Sequence, residues 1–504
     1  MAIPATGTVH PLYALYAPTW ATLLDVFEGA GGFLARDKPY LVAHPREYLD
    51  HSVPVTTDSG QTVISYVANE TPTRPSAKLT ERRKLARYEN IAATLVSQLA
   101  GALFRVSASR TFPEGQVSRV PRPIEQFWLD ADGLGASWDD LIRSAWMPAA
   151  VFGHVFLYMD QDEDTETPVA RVYTPLDAPD WLTDGRGRLT SIKFLEAAPR
   201  TSFTTRQSTQ DLRVRVVTDE GWSLQDRSGR VLEAGVHRFG RLPVVPLYAK
   251  RRSLTPLVGQ SVLGDPMCFV DLYNLVSEVR ELLRRQTFSV LNVPVGNDGT
   301  IEREQSFIGR QSGTGNILFT SQPAAYLSPE GTNVQVYHEH IDRLARTIYR
   351  LAVVPWESDA TGVEAEGSRR IKREDLNQQL AQFADECQQT DQRVTELVYR
   401  AAYGDRWQMW HQKDQLTIRW PDQFETEDLT ARLAQFTDAL RLDLGPTATK
   451  EAKKRASRAV LPDLAAETQT QVDAEIDAET GVTPDQRRDQ EMAERLANLA
   501  KVAS

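Results

Sequence analysis

The stretch Leu351–Glu374, LAVVPWESDATGVEAEGSRRIKRE, constrains the fold more than any other part of this sequence. One helical pattern runs into it and meets Pro355, and a much longer one opens near Arg369. Upstream, Ile341, Leu344, Ala345, Ile348, Leu351 and Ala352 share a helix face, while Arg343, Arg346 and Arg350 line the opposite one at spacings of three and four. Downstream, Leu376, Leu380, Phe383, Ala384, Cys387, Val394, Leu397 and Ala401 sustain one helix to about Tyr403, a length of about 50 Å. The interruption holds Pro355, Trp356, two glycines (Gly362 and Gly367), four carboxylates (Glu357, Asp359, Glu364 and Glu366) and no base. Proline stops a helix because it lacks the N–H donor, and glycine lets the following chain bend.

The rest of the chain alternates between helical and strand periods. Residues 1–75 read as irregular apart from a short helical candidate at Trp20–Phe27. A helix of about seven turns is expected over SAKLTERRKLARYENIAATLVSQLAGALFR, with Leu85, Ile91, Leu95, Leu99 and Leu103 inward. Ser137 and Asp140 form a capping box for the next helix, Gly153 ends it, and HVFLYMD reads as a strand. From about 168 to 250 the period is two. ARVYTPL, LTSIKFLEA, LRVRVVTD, GWSLQD and RVLEAGVHRF, set off by Asp184-Gly185, Glu220-Gly221 and Ser228-Gly229, predict a β meander of about five strands. Asp265-Pro266 starts a helix with Phe269, Leu272, Tyr273, Val276, Val279 and Leu283 on one face. Short apolar runs between glycine-rich turns fill 288–335. The C-terminal segments, over about 427–442, after Pro446, around Pro462 and from Thr483, read as polar helices. The fold class is therefore α+β, mainly helical with a meander.

Composition narrows the chemistry. The chain has 504 residues, enough for roughly two to four domains. Its net charge of -11 argues against wrapping nucleic acid over the outer surface, since phosphate is bound by Lys and Arg. Cys268 and Cys387, both in helical patterns, are too few for a disulfide framework and read as buried thiols. MAIPATGTVHPLYALY lacks a basic stretch ahead of its apolar residues, so no signal peptide is expected, and no window reaches the ~18 apolar residues of a membrane span. No phosphate-binding GxxxxGK[ST], HExxH, CxxC or GxSxG occurs. His338 and His340 in YHEHID would point about 200° apart on a helix, which disfavours joint chelation. The run QDEDTET at 161–167 lacks the spacing of a calcium loop. No catalytic residue, metal ligand or cofactor is expected.

The order of elements resembles the portal protein, or head-to-tail connector, of tailed double-stranded DNA phages. Three segments carry the resemblance: LARYENIAATLVSQLAGALFR, DADGLGASWDDLIRSAWMPAAVFGHVFLYMD and the series NVQVYHEHIDRLARTIYRLAVVPWE followed by SRRIKREDLNQQL. The resemblance implies a wing (1–261 and 369–425), stem helices (262–287 and 336–353), a clip (288–335), a tunnel loop (354–368) and a crown (426–504). It implies a homo-oligomeric ring, usually dodecameric, at one capsid vertex of the virion, assembled in the host cytoplasm. Double-stranded DNA would pass through without sequence-specific reading. The partners implied are the terminase large subunit, head-completion or adaptor proteins, and the major capsid and scaffolding proteins, with no membrane. Pro355, Trp356, Glu357, Asp359, Gly362, Glu364, Glu366 and Gly367 would form the tunnel loop, and Arg343, Arg346 and Arg350 a channel-facing stripe of the stem. Two alternatives differ in class: another structural protein of the virion head or neck, and a phage nuclease.

Overall fold

A computed structural model describes residues 9–29, 40–42, 52–56, 62–66, 82–84, 86–113, 120–162, 167–197, 212–286, 290–294, 317–320, 325–327, 332–354, 366–422, 424, 446–460 and 471–476. The chain divides into two compact units, Met1–Phe424 and Glu425–Ser504.

The first unit is a mixed helix-and-sheet body. Helix α1 (Pro11–Glu28) is longer than the sequence period suggested. His10 caps it by accepting the N–H of Leu12, and Pro11 occupies the first turn, where a missing donor costs nothing. Residues 52–56 and 62–66 pair as an antiparallel hairpin, β1–β2, inside the stretch expected to be irregular. The next helix, α2 (Ile91–Leu103), is much shorter than the expected seven turns. Residues 86–90 are not helical, because Asn90 turns its side chain into a cap. Its Oδ1 accepts the Ala93 N–H at 2.9 Å and its Nδ2 donates to the Phe27 carbonyl, tying α2 to the end of α1.

Strand β3 (Ser109–Thr111) and α3 (Arg122–Leu129) lead to α4 (Trp138–Phe152). Of the expected capping box the serine half is present, with the Asp140 N–H on Ser137 Oγ, while Asp140 Oδ2 accepts the Ser137 hydroxyl instead of the Ser137 backbone N–H. Gly153 ends α4 in the left-handed region, at φ 93°. It meets Gly259 across a backbone crossing, where a Cβ on Gly259 would stand 2.0 Å from the Gly153 carbonyl oxygen, so no side chain fits.

Strand β4 (His154–Gln161) follows as expected and lies between β5 (Pro168–Tyr173) and β11 (Val244–Tyr248) in an antiparallel three-stranded sheet. ARVYTPL is therefore not the first meander strand. A short 3-10 turn at Pro175–Asp177 carries the chain onto a second sheet. That sheet is a five-stranded antiparallel meander of β6 (Asp180–Thr183), β7 (Leu189–Ala197), β8 (Leu212–Thr218), β9 (Gly221–Gln225) and β10 (Val231–Val236). Long-range pairing, which alternation along one strand cannot report, decides which sheet a strand joins.

Helices α5 (Met267–Gln286) and α6 (Thr332–Leu351) pack together. Between them, β12 (Val290–Pro294) pairs in parallel with β13 (Ile317–Thr320) and antiparallel with β14 (Ala325–Leu327). The long helix α7 (Glu366–Tyr403) crosses the body, followed by α8 (Trp407–Asp414) and β15 (Thr417–Arg419), which pairs with β3. Leu380, Phe383, Ala384, Cys387, Val394, Leu397 and Val398 on α7 are buried, each large one contributing about 1.5–3 kcal/mol. Phe383 among them meets Trp146 of α4, the two ring centres lying 5.3 Å apart. In the second unit, α9 (Pro446–Val460) and residues 471–476 are helical.

Candidate functional site

Of the residues singled out by the sequence, Arg343, Arg346 and Arg350 lie on α6, which packs against α5, and Glu366 and Gly367 lie at the start of α7. Asp265 caps α5 by accepting the Met267 N–H at 3.0 Å. Phe269, Leu272, Tyr273 and Val279 are buried on α5, and Ala345, Ile348 and Ala352 at the α6 end. Two contacts establish the direction of the pair. A Cβ placed on Gly264, just before α5, would lie 3.8 Å from the Leu351 side chain at the end of α6. Toward the other end, Tyr337 of α6 hydrogen-bonds Glu278 of α5, and burial followed by that carboxylate raises the phenol's pKa. The helices are therefore antiparallel, each of 20 residues and about 30 Å long. The three-stranded insert leaves the pair at one end, and the acidic segment leaves at the other.

Helix α6 ends at Leu351, ahead of Pro355. The Val353 N–H bonds the Arg350 carbonyl at 3.1 Å and the Val354 N–H bonds that of Tyr349 at 3.0 Å. This double closure is a Schellman motif, with Val353 in the left-handed position at φ 56°. A β-branched residue is strained there, since glycine is the residue that adopts this conformation at little cost. The helix thus closes at Val353, two residues ahead of Pro355, which lies outside the described residues. Val353→Gly is expected to stabilise the folded chain by about 1 kcal/mol, read as a higher urea midpoint. An unchanged or lower midpoint would show that the valine side chain's packing outweighs the strain.

Pro355, Trp356, Glu357, Asp359, Gly362 and Glu364 lie outside the described residues. Glu366 and Gly367, expected in the loop, fall in the first turn of α7, which begins three residues ahead of Arg369.

Arg343, Arg346 and Arg350 are all exposed on the side of α6 away from Ala345, Ile348 and Ala352. None makes a hydrogen bond or ion pair through its guanidinium among the described residues. Arg346 and Arg350, four residues apart, repel each other mildly. His338 and His340 are exposed on the same helix, and no group of three or more His, Cys, Asp or Glu among the described residues could hold a metal ion. No helix among the described residues is long and apolar enough to cross a membrane. Cys387 is buried and Cys268 partly so.

The polar centre that sequence reasoning missed is Asp391 on α7. Its buried carboxylate accepts from Arg110 Nε (3.1 Å) and Nη2 (2.8 Å), Trp138 Nε1 (2.9 Å) and Trp420 Nε1 (3.3 Å). The sequence signal was a lone acid between Cys387 and Val394 on an apolar stripe. Every donor belongs to another segment, so the centre ties α7 to β3, α4 and the residue after β15.

No protein-family model matches the chain, and no curated protein matches it. Solved structures overlap part of the chain path. A chain in the neck of an empty gene transfer agent particle, computed with C6 symmetry, is 12% identical with a TM-score of 0.40, over 70% of this chain and 85% of that one. A chain from the virion of a native gene transfer agent particle is 12% identical with a TM-score of 0.34, over 70% and 84%. A chain in the neck of the native particle, computed with C12 symmetry, is 12% identical with a TM-score of 0.34, over 70% and 85%. Overlaps of this size describe a partly shared path and assign no activity.

Proposed function

We propose that this chain is a structural subunit of a virion head-to-tail junction, and within that class a portal protein. The observation that carries the reading is the antiparallel pair α5–α6, with a small β insert leaving one end and an acidic segment joining the other end to the 38-residue helix α7. This is the element order of the portal resemblance. In the proposal α5 and α6 are the stem, the β insert is the clip, the body with α7 is the wing, and the second unit is the crown.

Identical copies form a ring, with twelve as the family's usual number. The segment from Pro355 to Gly367 projects into the channel, where its four carboxylates repel DNA phosphates at close range. A ring of lysines there would instead release counterions and grip the polymer. Arg343, Arg346 and Arg350 form no ion pair among the described residues and supply rings of positive charge along the stem. The chain is a conduit rather than an enzyme: it passes DNA without reading its sequence and docks terminase, then the neck proteins, on its clip. It works at the capsid vertex after assembly in the host cytoplasm.

Negative-stain images and mass photometry of the purified full chain test this reading. Rings with a central hole and a mass near twelve subunits are expected. A chain that stays monomeric at micromolar concentration, or closed particles without a hole, would overturn it.

A further inference from the structure

The two ends of β11 and the middle of α7 hold more positive charge than they neutralise. Arg241 precedes β11 and Arg251 follows it, while Arg393 and Arg400 project from α7. Each acid among them is engaged through one carboxylate oxygen, and the buried Oε2 of Glu386 has no hydrogen-bond partner among the described residues. Glu386 Oε1 accepts from Arg251 Nε at 2.5 Å. Glu396 Oε1 accepts from Arg400 Nε (3.0 Å), Arg400 Nη2 (2.9 Å) and Arg241 Nη1 (3.3 Å). Two of the arginines are also braced by rings: Arg251 lies 4.5 Å over Tyr248, and Arg400 4.0 Å over Trp407. Guanidinium groups fixed in this way lose little freedom on meeting an anion.

Arg393 is the exception. It is half-buried, has no hydrogen bond or ion pair among the described residues, and feels Arg251 and Arg241 as like charges. Burial, then the charge of Arg251, lowers the pKa of its guanidinium, with Arg241 adding to the effect and Glu386 only partly opposing it. Within the isolated subunit this placement is a cost, and an anion brought to the surface would offset it.

We infer that the row Arg251–Arg393–Arg241–Arg400 is a docking surface for carboxylates of a second copy of this chain. Charge complementarity selects that occupant: four arginines face two glutamates here, whereas the chain as a whole carries a net charge of -11. A neighbouring copy therefore presents the acidic surface the row lacks. The inference rests on the self-assembling ring proposed above and names one of its contacts. Arg393 stabilises the assembly at the expense of the lone subunit, a combination a purely structural arginine would not show.

The test uses the full chain and its Arg393→Ala and Arg393→Gln variants, with assembly followed by mass photometry across a salt series. Thermal melts of the unassembled subunit and anisotropy of a labelled short DNA duplex are measured in parallel. Both variants are expected to need at least about tenfold more protein for half-assembly, a loss that narrows as salt screens the wild type. Their subunits melt at the wild-type temperature or above, and duplex binding is unchanged. Assembly of the variants at wild-type concentrations overturns the inference while leaving the ring intact. So does normal assembly with loss of duplex binding, which would make the row a nucleic-acid contact, and so does a lower subunit melting temperature, which would make Arg393 structural. A wild-type chain that never assembles overturns the ring reading, and this inference with it.

Discussion

Arg110→Ala is expected to destabilise the folded chain by about 3–5 kcal/mol, because it strips the cation from a carboxylate that has no route to water. Asp391 is fully buried, and the Arg110 side chain is only 9% exposed. Arg110 also reaches Asp139 through Nη1 at 2.7 Å, but that acid is half-exposed and can rehydrate. The two indole N–H donors remain in the variant, and neutral donors alone do not balance a buried charge. Urea unfolding followed by tryptophan fluorescence suits the test, since Trp138 and Trp420 touch the carboxylate directly. Arg110→Ala combined with Asp391→Ala is expected to cost less than the sum of the single changes, because the second change removes the stranded charge.

The pH dependence of that deficit has a definite sign. Burial raises the Asp391 carboxyl above its ordinary value, and Arg110 is the largest influence opposing the rise. Without Arg110 the rise is larger, so the folded variant holds its proton more tightly than the unfolded chain does. The deficit relative to wild type should therefore shrink as pH falls through the raised pKa. A single-variant loss below about 1 kcal/mol at neutral pH would show that water reaches Asp391.

Acid should unfold the chain through His154. Its ring is fully buried, with Phe156 and Trp20 edge-on and Tyr248 stacked, and Nδ1 accepts the Gly259 N–H at 3.2 Å. Burial lowers its pKa from 6.5 to about 3. The stability contributed by the neutral ring is complete above pH 6.5 and declines as pH falls toward 3. The unfolded chain gains a proton over that window and the folded chain does not. The loss reaches about 2 kcal/mol at pH 5 and about 4 kcal/mol at the bottom of the window. His154→Gln keeps an acceptor for Gly259 and removes the titration. It should flatten the slope of stability against pH between 6.5 and 5 by up to about 1.4 kcal/mol per unit. Asp391 contributes with the opposite sign in both proteins and cancels from the comparison. An unchanged slope in the variant would mean that His154 is protonated in the folded chain.

Much of this architecture was legible along the chain, where local periodicity reports on local structure. The meander strands β7 to β10, the N-cap at Ser137 and the cap at Asp265 each lie within a few residues of their own signal. The arginine stripe on α6 was also readable, because residues three and four apart share a face once the helix is granted. What the sequence left open turned on partners far away in the chain. Asn90 ends a helical pattern early because it also holds the Phe27 carbonyl. ARVYTPL joins β4 rather than the meander because register is chosen by the strand across from it.

By itself, then, the sequence determined the strongly periodic helices and strands from α4 to α7 and the charge carried on their faces, since these follow from periods of 3.6 and 2 and from capping chemistry. Only the tertiary structure decided that Asp391 is a four-donor centre, that Arg393 has no ion-pair partner among the described residues while feeling two like charges, and that burial makes His154 hard to protonate. Burial and electrostatic pairing depend on distances between segments hundreds of residues apart, and no local pattern encodes those distances.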